Sequence, residues 1–188
     1  MKYFDDVTFE NADFSIDQLE KGEYDNCRFV HCNFFEADLS GISFSETVFT
    51  GSNLSMIKIA QTTFQDIKFK ECKLLGIHFE ESSELLFKVD FDHCILNLSS
   101  FYKRNLKKTV FNSCSLQEAD FTEADLTQAV FHNCDLARAI FDHTILTKAD
   151  LRTAYHYSID PATNSIKKAR FSIAGISGLL DKYDIEIE

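Results

Sequence analysis

Six cysteines and six histidines are the side chains in this 188-residue chain that could build a metal centre, a disulfide framework or a thiol nucleophile. Metal sites of nitrogen and sulfur ligands usually show close pairs, because two donors must reach one ion from one turn or loop. The chain has no Cys-x-x-Cys pair and no His-x-x-x-His pair. His31 and His93 each precede a cysteine, but neighbouring residues of an extended chain point to opposite sides. His132 and His143 read as surface residues. No metal and no cofactor is expected. The cysteines are Cys27, Cys32, Cys72, Cys94, Cys114 and Cys134, and the last three stand twenty apart.

That spacing points to the elements that would hold them. From Ala119 to Leu151 the chain repeats an apolar triplet, such as Ala-Asp-Phe or Ala-Asp-Leu, once every five residues. A five-residue step turns an α-helix by about 140°, which winds apolar positions around the cylinder instead of along one stripe. On a flat strand an odd step sends successive apolar residues to opposite faces. A chain that buries the same two positions in every repeat must turn a corner every five residues, always in one sense. It therefore coils around an axis.

The register runs from Phe9, Phe14 and Leu19 to Phe79 and, after one interruption, from Leu86 to Leu151. Two residues before many of the central Phe and Leu stands a slimmer one, among them Ala12, Ala37, Ala119, Ala124 and all six cysteines. These residues resemble the pentapeptide-repeat proteins, whose pattern is Ala, Asp or Asn, Leu or Phe, then two polar residues. The resemblance spans about residues 9–151 and implies an all-β fold, a right-handed quadrilateral β-helix. An even-sided coil also follows without the family, because Leu and Phe alternate from Leu86 to Leu146, so like residues recur every ten and every twenty. Nearly every Phe is central, with Phe35 and Phe87 as exceptions. Stacked Phe and Leu would make one continuous core in which each coil buries its neighbours.

In such a coil Cys94, Cys114 and Cys134 form an inward column at roughly 4.8 Å spacing, with parallel Cβ vectors that suit a disulfide poorly. They read as buried, reduced thiols. Outward hydroxyls such as Ser40, Thr122 and Thr127 lie on a convex surface, without a cleft to gather nucleophile, base and oxyanion donors. An enzyme is not expected. The start, Met1 to Asp6, turns acidic at once, and no apolar run approaches the roughly 20 residues a bilayer needs. A cytoplasmic protein with no membrane contact is expected.

Residues 1–171 are expected to form the solenoid, interrupted near 80–85 and 156–165, with 172–188 as a cap or dimerisation segment. Phe79 and Leu86 are seven residues apart instead of five, so two residues must bulge from a corner. Glu80, Glu81, Ser82, Ser83 and Glu84 there are a candidate partner-contact loop. Further on, His156 and Pro161 break the pattern before Ile166 and Phe171 restore it. Ile173, Ile176, Leu179 and Leu180 then fall at helical spacing, and Ile185 and Ile187 alternate as a terminal strand would. A short helix and strand with this much apolar surface are expected to cover the open coil and pair with a second copy as a homodimer.

This ending, with Cys27-Arg28-Phe29 and Cys32-Asn33-Phe34 near the start, resembles the quinolone-resistance (Qnr-type) branch of the family. That resemblance implies a rod-shaped dimer that mimics duplex DNA, binds the type II topoisomerases DNA gyrase and topoisomerase IV, and shields them from quinolones. The alternative is a repeat scaffold or protein-interaction module with no topoisomerase role. Formal charge is −11, and residues 1–57 hold three Lys or Arg against eleven Asp or Glu. Lys103, Arg104, Lys107 and Lys108 form a basic patch that a DNA-binding groove would repel. A dimer about 90 Å long would carry twice −11, where duplex DNA of that length carries on the order of 50 charges. Mimicry would be of shape and sign, and the acidity argues against direct nucleic-acid binding.

Overall fold

The five-residue period becomes a parallel coil of twenty residues per turn in the computed structural model, which describes residues 2–186. On one side Lys2–Asp5, Gly22–Asp25, Ser43–Ser45 and Thr63–Gln65 stack as a four-stranded sheet. On the next, nine strands run from Thr8–Glu10 to Arg170–Phe171. Phe9, Phe29, Phe49, Phe69, Phe91, Phe111 and Phe131 pair in register along that sheet. Single bridges, such as Asp13 to Asn33 and Asp120 to Ile140, join the coils on the two remaining sides. Numbered in chain order, faces 1 to 4 carry Phe4, Phe9, Phe14 and Leu19 in the first coil, and Tyr24 begins the second.

Each corner follows a central residue. The second residue of the corner usually has positive φ, as at Asp6 (53°) and Lys168 (58°), and glycine occupies such a corner only at Gly41, Gly51 and Gly76. The next N–H often closes a tight turn on the central carbonyl, at 2.8 Å from Ala37 to Phe34 and 3.0 Å from Ala124 to Phe121. The outward Asp completes the side: Oδ1 of Asp13, Asp38, Asp120 and Asp125 accepts the N–H two residues on, at 2.8–3.0 Å. The acid of Ala-Asp-Leu is thus a backbone acceptor as well as a surface charge.

Hydrogen bonds from Ser15, Ser40, Asn112 and Arg152 hold Asp13, Asp38, Asp92 and Asp150 below the usual carboxylate range. Groups depressed in this way add stability above the unfolded value, near 3.9, and lose it as pH falls through the folded one. The urea midpoint is therefore expected to stay level from about pH 7 to 5 and to drop below about pH 4. A midpoint unchanged at about pH 3 would show that these bonds do not stabilise the coil.

Inside, Phe91, Phe111 and Phe131 stack at 5.2 and 4.8 Å, and Phe111 meets Phe121 of face 4 edge-on at 6.1 Å and 84°. Before the insertion the long aromatic columns are on faces 1 and 2, with Tyr24, Phe44 and Phe64 on face 1, and face 3 opens with Phe14 stacked on Phe34 at 4.7 Å. After it face 1 carries Leu106, Leu126 and Leu146, and Phe101, Phe121 and Phe141 fill face 4. All six cysteines are buried and free. Cys72 joins the face 3 column that holds Cys94, Cys114 and Cys134, and the thiols of Cys94 and Cys134 each donate to a Phe carbonyl at 3.3 Å. Burial pushes the Cys32 thiol up, and the neighbouring Cys94 together with burial pushes Cys72 up. Thiol titration should therefore find no fast-reacting group in native protein and all six after unfolding. Two fast native thiols would contradict this packing.

The insertion departs from the expected register. Phe69 pairs with Phe91, which confirms two extra residues, but Leu86 is not central. It takes φ 57° and stands 59% exposed, while Phe87 turns its ring against Phe64 and Phe79 at 6.4 and 6.3 Å. The 3-10 turn Phe79–Glu81 carries the chain past the corner, so the inward position falls one residue later.

The ending departs as well. Ile173–Leu179 and Asp181–Tyr183 are 3-10 turns rather than an α-helix. Gly178 packs so closely on Tyr157 that a Cβ there would overlap the Tyr157 carbonyl oxygen. Ile185 lies outside any strand, and Ile187 lies outside the described residues.

Candidate partner-binding surface

A buried arginine holds the insertion from below. Arg104 occupies the inward position of face 1 that is Thr62 or Ala124 in other coils, and is 3% exposed. Its guanidinium donates to Ser82 O at 3.3 Å, Ser82 Oγ at 3.0 Å and Ser83 O at 2.8 Å, and lies 4.1 Å from the Phe87 ring centre. Burial lowers its pKa against the opposing pull of Glu84 and Glu80, yet a guanidinium stays charged. The candidate loop is therefore divided in role. Ser82 is a buried strut, while Ser83 and Glu80 are half-buried, with Glu80 Oε1 3.0 Å from His78 Nδ1. Glu81 and Glu84 are exposed, and Leu85 and Leu86 make an apolar tip.

The expected basic patch does not form. Arg104 is inside, Lys103 pairs with Glu123 at 3.5 Å, and Lys107 pairs with Asp125 at 3.1 Å. Neighbours in a five-residue repeat point to different sides, so a run in sequence is not a patch in space. Charge sorts by column instead. The outward columns of face 1 carry Asp5, Asp6, Glu23, Asp25 and Glu46 in the first three coils, with no Lys or Arg. The Tyr3 hydroxyl donates to Asp25 at 3.1 Å, and that bond, reinforced by Asp5 and Glu23, raises the phenol pKa. In the last four coils the same columns carry Lys107, Lys108, Lys148, Lys167 and Lys168 against the single carboxylate of Asp125. Sequence reasoning missed this lysine ridge, although the signal, Lys at multiples of twenty, was present.

The C-terminal candidates also divide. Leu179 is buried in its own chain, where the Ile159 N–H donates to Gly178 O at 2.8 Å, and Leu180 is half-buried. Ile173, Ile176 and Ile185 stay outside, Ile173 being 93% exposed. A second apolar feature escaped the sequence reading. Ile16, Phe35, Met56, Leu75 and Leu98 are exposed one per coil on the corner between faces 3 and 4. Beside the C-terminal turns a depression of about 380 Å³ is lined by His156, Tyr157, Ser172 and Asp181 among others. His156 there sits 2.9 Å from Asp135, and Ser172 Oγ accepts from the Gly175 N–H. Neither arrangement activates a hydroxyl. Among the described residues, no group of three His, Cys, Asp or Glu is placed to hold a metal, and no helix is long and apolar enough to cross a membrane.

Two family models match the chain, one described as a pentapeptide repeat region over residues 23–83 and one as pentapeptide repeats over residues 114–152. Together they cover just over half of it. Among solved structures, a trypsin-treated form of QnrB1, described as a plasmid-mediated fluoroquinolone resistance protein, is 19% identical, covers 100% of both chains and has a TM-score of 0.52. Full-length QnrB1 is 15% identical over 98% of this chain and 100% of its own, with a TM-score of 0.44. HetL, a pentapeptide-repeat protein involved in heterocyst differentiation regulation in the cyanobacterium Nostoc, is 15% identical. It covers 91% of this chain and 84% of its own, at a TM-score of 0.42. No curated protein matches in sequence. Similarity at this level speaks for the fold alone.

Proposed function

The chain belongs to the pentapeptide-repeat proteins, and from that premise we propose a non-enzymatic, DNA-mimicking binder of type II topoisomerases. The reading rests on the five carboxylates that face outward from the first three coils of face 1. Such a column offers a basic, DNA-binding groove a negative surface of the right sign, and charge of this kind raises encounter rates and fixes orientation. Burial of Arg104 removes one cation from the outer charge, and the remaining lysines of the outward face 1 columns lie beyond the insertion, away from the acidic coils. The exposed Leu85 and Leu86, flanked by Glu81 and Glu84, supply a second contact.

The test is a gyrase supercoiling assay with and without ciprofloxacin, titrated with purified protein. Relief of drug inhibition, or direct inhibition of supercoiling, is the expected result. The triple substitution Asp6→Lys, Glu23→Lys and Glu46→Lys should lower potency about tenfold, with a weaker salt dependence. If wild type neither relieves nor inhibits at high concentration, the repeat-scaffold reading takes its place.

A further inference from the structure

Face 1 is bipolar along the rod. Counted on the central residues of that face, Phe4, Tyr24, Phe44 and Phe64 mark coils one to four, the insertion is the fifth, and Leu106, Leu126, Leu146 and Ile166 mark six to nine. The insertion therefore lies at the midpoint, with carboxylates on one side of it and, apart from Asp125 paired with Lys107, lysines on the other. We propose that face 1 is a self-association surface on which two copies pack side by side and antiparallel.

The argument is one of symmetry. A two-fold axis lying in the contact plane across the fifth coil reverses the rod direction and leaves each column facing its own column. The first coil then meets the ninth, which sets Asp5 and Asp6 opposite Lys167 and Lys168. The second meets the eighth, with Asp25 beside Lys148, and the fourth meets the sixth, where Asp66, already paired with Lys88 of its own chain, stands opposite Lys108. Glu46 of the third coil faces the neutral Gln128 of the seventh. On the axis itself stand Leu85 and Leu86, 69% and 59% exposed, which can bury against their own copies. A parallel arrangement would instead place like charge on like charge along the whole face. A face roughly 16 Å wide and about 43 Å long offers about 700 Å² per partner, close to the 800 Å² of a standard interface. This dimer covers the acidic coils assigned above to a topoisomerase, so self-association and topoisomerase binding compete for face 1.

The full chain is measured by sedimentation velocity from 1 to 100 µM. In about 50 mM salt a dimer is expected whose dissociation constant rises at least about tenfold at about 500 mM. Lys167→Asp with Lys168→Asp should leave a monomer, as should Asp5→Lys with Asp6→Lys, each with an unchanged circular dichroism spectrum. An equimolar mixture of the two variants should recover the dimer, because one rod then carries acid at both ends and the other lysine at both ends. A monomeric wild type at 100 µM in low salt overturns the proposal. So does a dimer that ignores salt and both charge reversals but is lost in Ile173→Asp, since that dimer forms through the C-terminal turns.

Discussion

Phe111→Ala is expected to destabilise the protein by about 3–5 kcal/mol, the range for truncating a fully buried aromatic ring. The ring is fully buried, stacks with Phe91 and Phe131, and meets Phe101 and Phe121 edge-on at 6.0 and 6.1 Å. Its loss breaks the face 2 column and removes two edge-on contacts from the face 4 column at the same level. In a solenoid each coil is stabilised only by its neighbours, so a gap in the middle also uncouples the halves. Urea unfolding should therefore show a lower midpoint and a shallower transition, the signature of lost cooperativity. Phe9→Ala removes a half-buried ring at the open end and should cost less, without the change in slope. Ile140→Ala, at an exposed outward position, should stay within about 0.5 kcal/mol of wild type. A Phe111→Ala loss below about 1 kcal/mol would mean that the stacked rings are not the main support of the fold.

The contrast among these three positions shows what a repeat sequence makes legible. Burial follows from position in the five-residue unit, so Phe111, Cys114 and Ala119 could be placed inside from the register alone, and they are inside. Outward positions obey no such rule. Their meaning appears only when residues twenty apart are read as neighbours, and residues 151–188, with five Lys or Arg against five Asp or Glu, sum to a neutral segment that hides Lys167 and Lys168. The same projection error made a patch of Lys103, Arg104, Lys107 and Lys108, which point to three different environments. The insertion could be counted but not traced. Two extra residues follow from the spacing of Phe79 and Phe91, whereas the choice between Leu86 and Phe87 as the inward residue depends on the space under Arg104, which no local pattern encodes.

Replacing Arg104 should have the second largest effect, and the order of substitutions identifies the cause. Charge-assisted hydrogen bonds of the kind it gives Ser82 and Ser83 are each worth about 1.5–3 kcal/mol. Part of that is offset by the cost of burying the guanidinium, whose Nε has no partner. Arg104→Met keeps the stem against Phe87, removes the buried charge and should cost least. Arg104→Ala leaves two carbonyl groups and a ring without support. Arg104→Lys should be the worst, because an ammonium cannot span the same acceptors or stack on Phe87, and it leaves a poorly paired charge inside at a cost of about 3–5 kcal/mol. The loop reports the same defect locally. Opening of residues 82–87 that becomes easier by about 1.4 kcal/mol raises chymotrypsin cleavage at Leu85, Leu86 or Phe87 about tenfold, in the Ala and Lys variants first. If Arg104→Lys matches wild type in both urea midpoint and cleavage rate, the arginine is merely tolerated and the loop is held by its own turn.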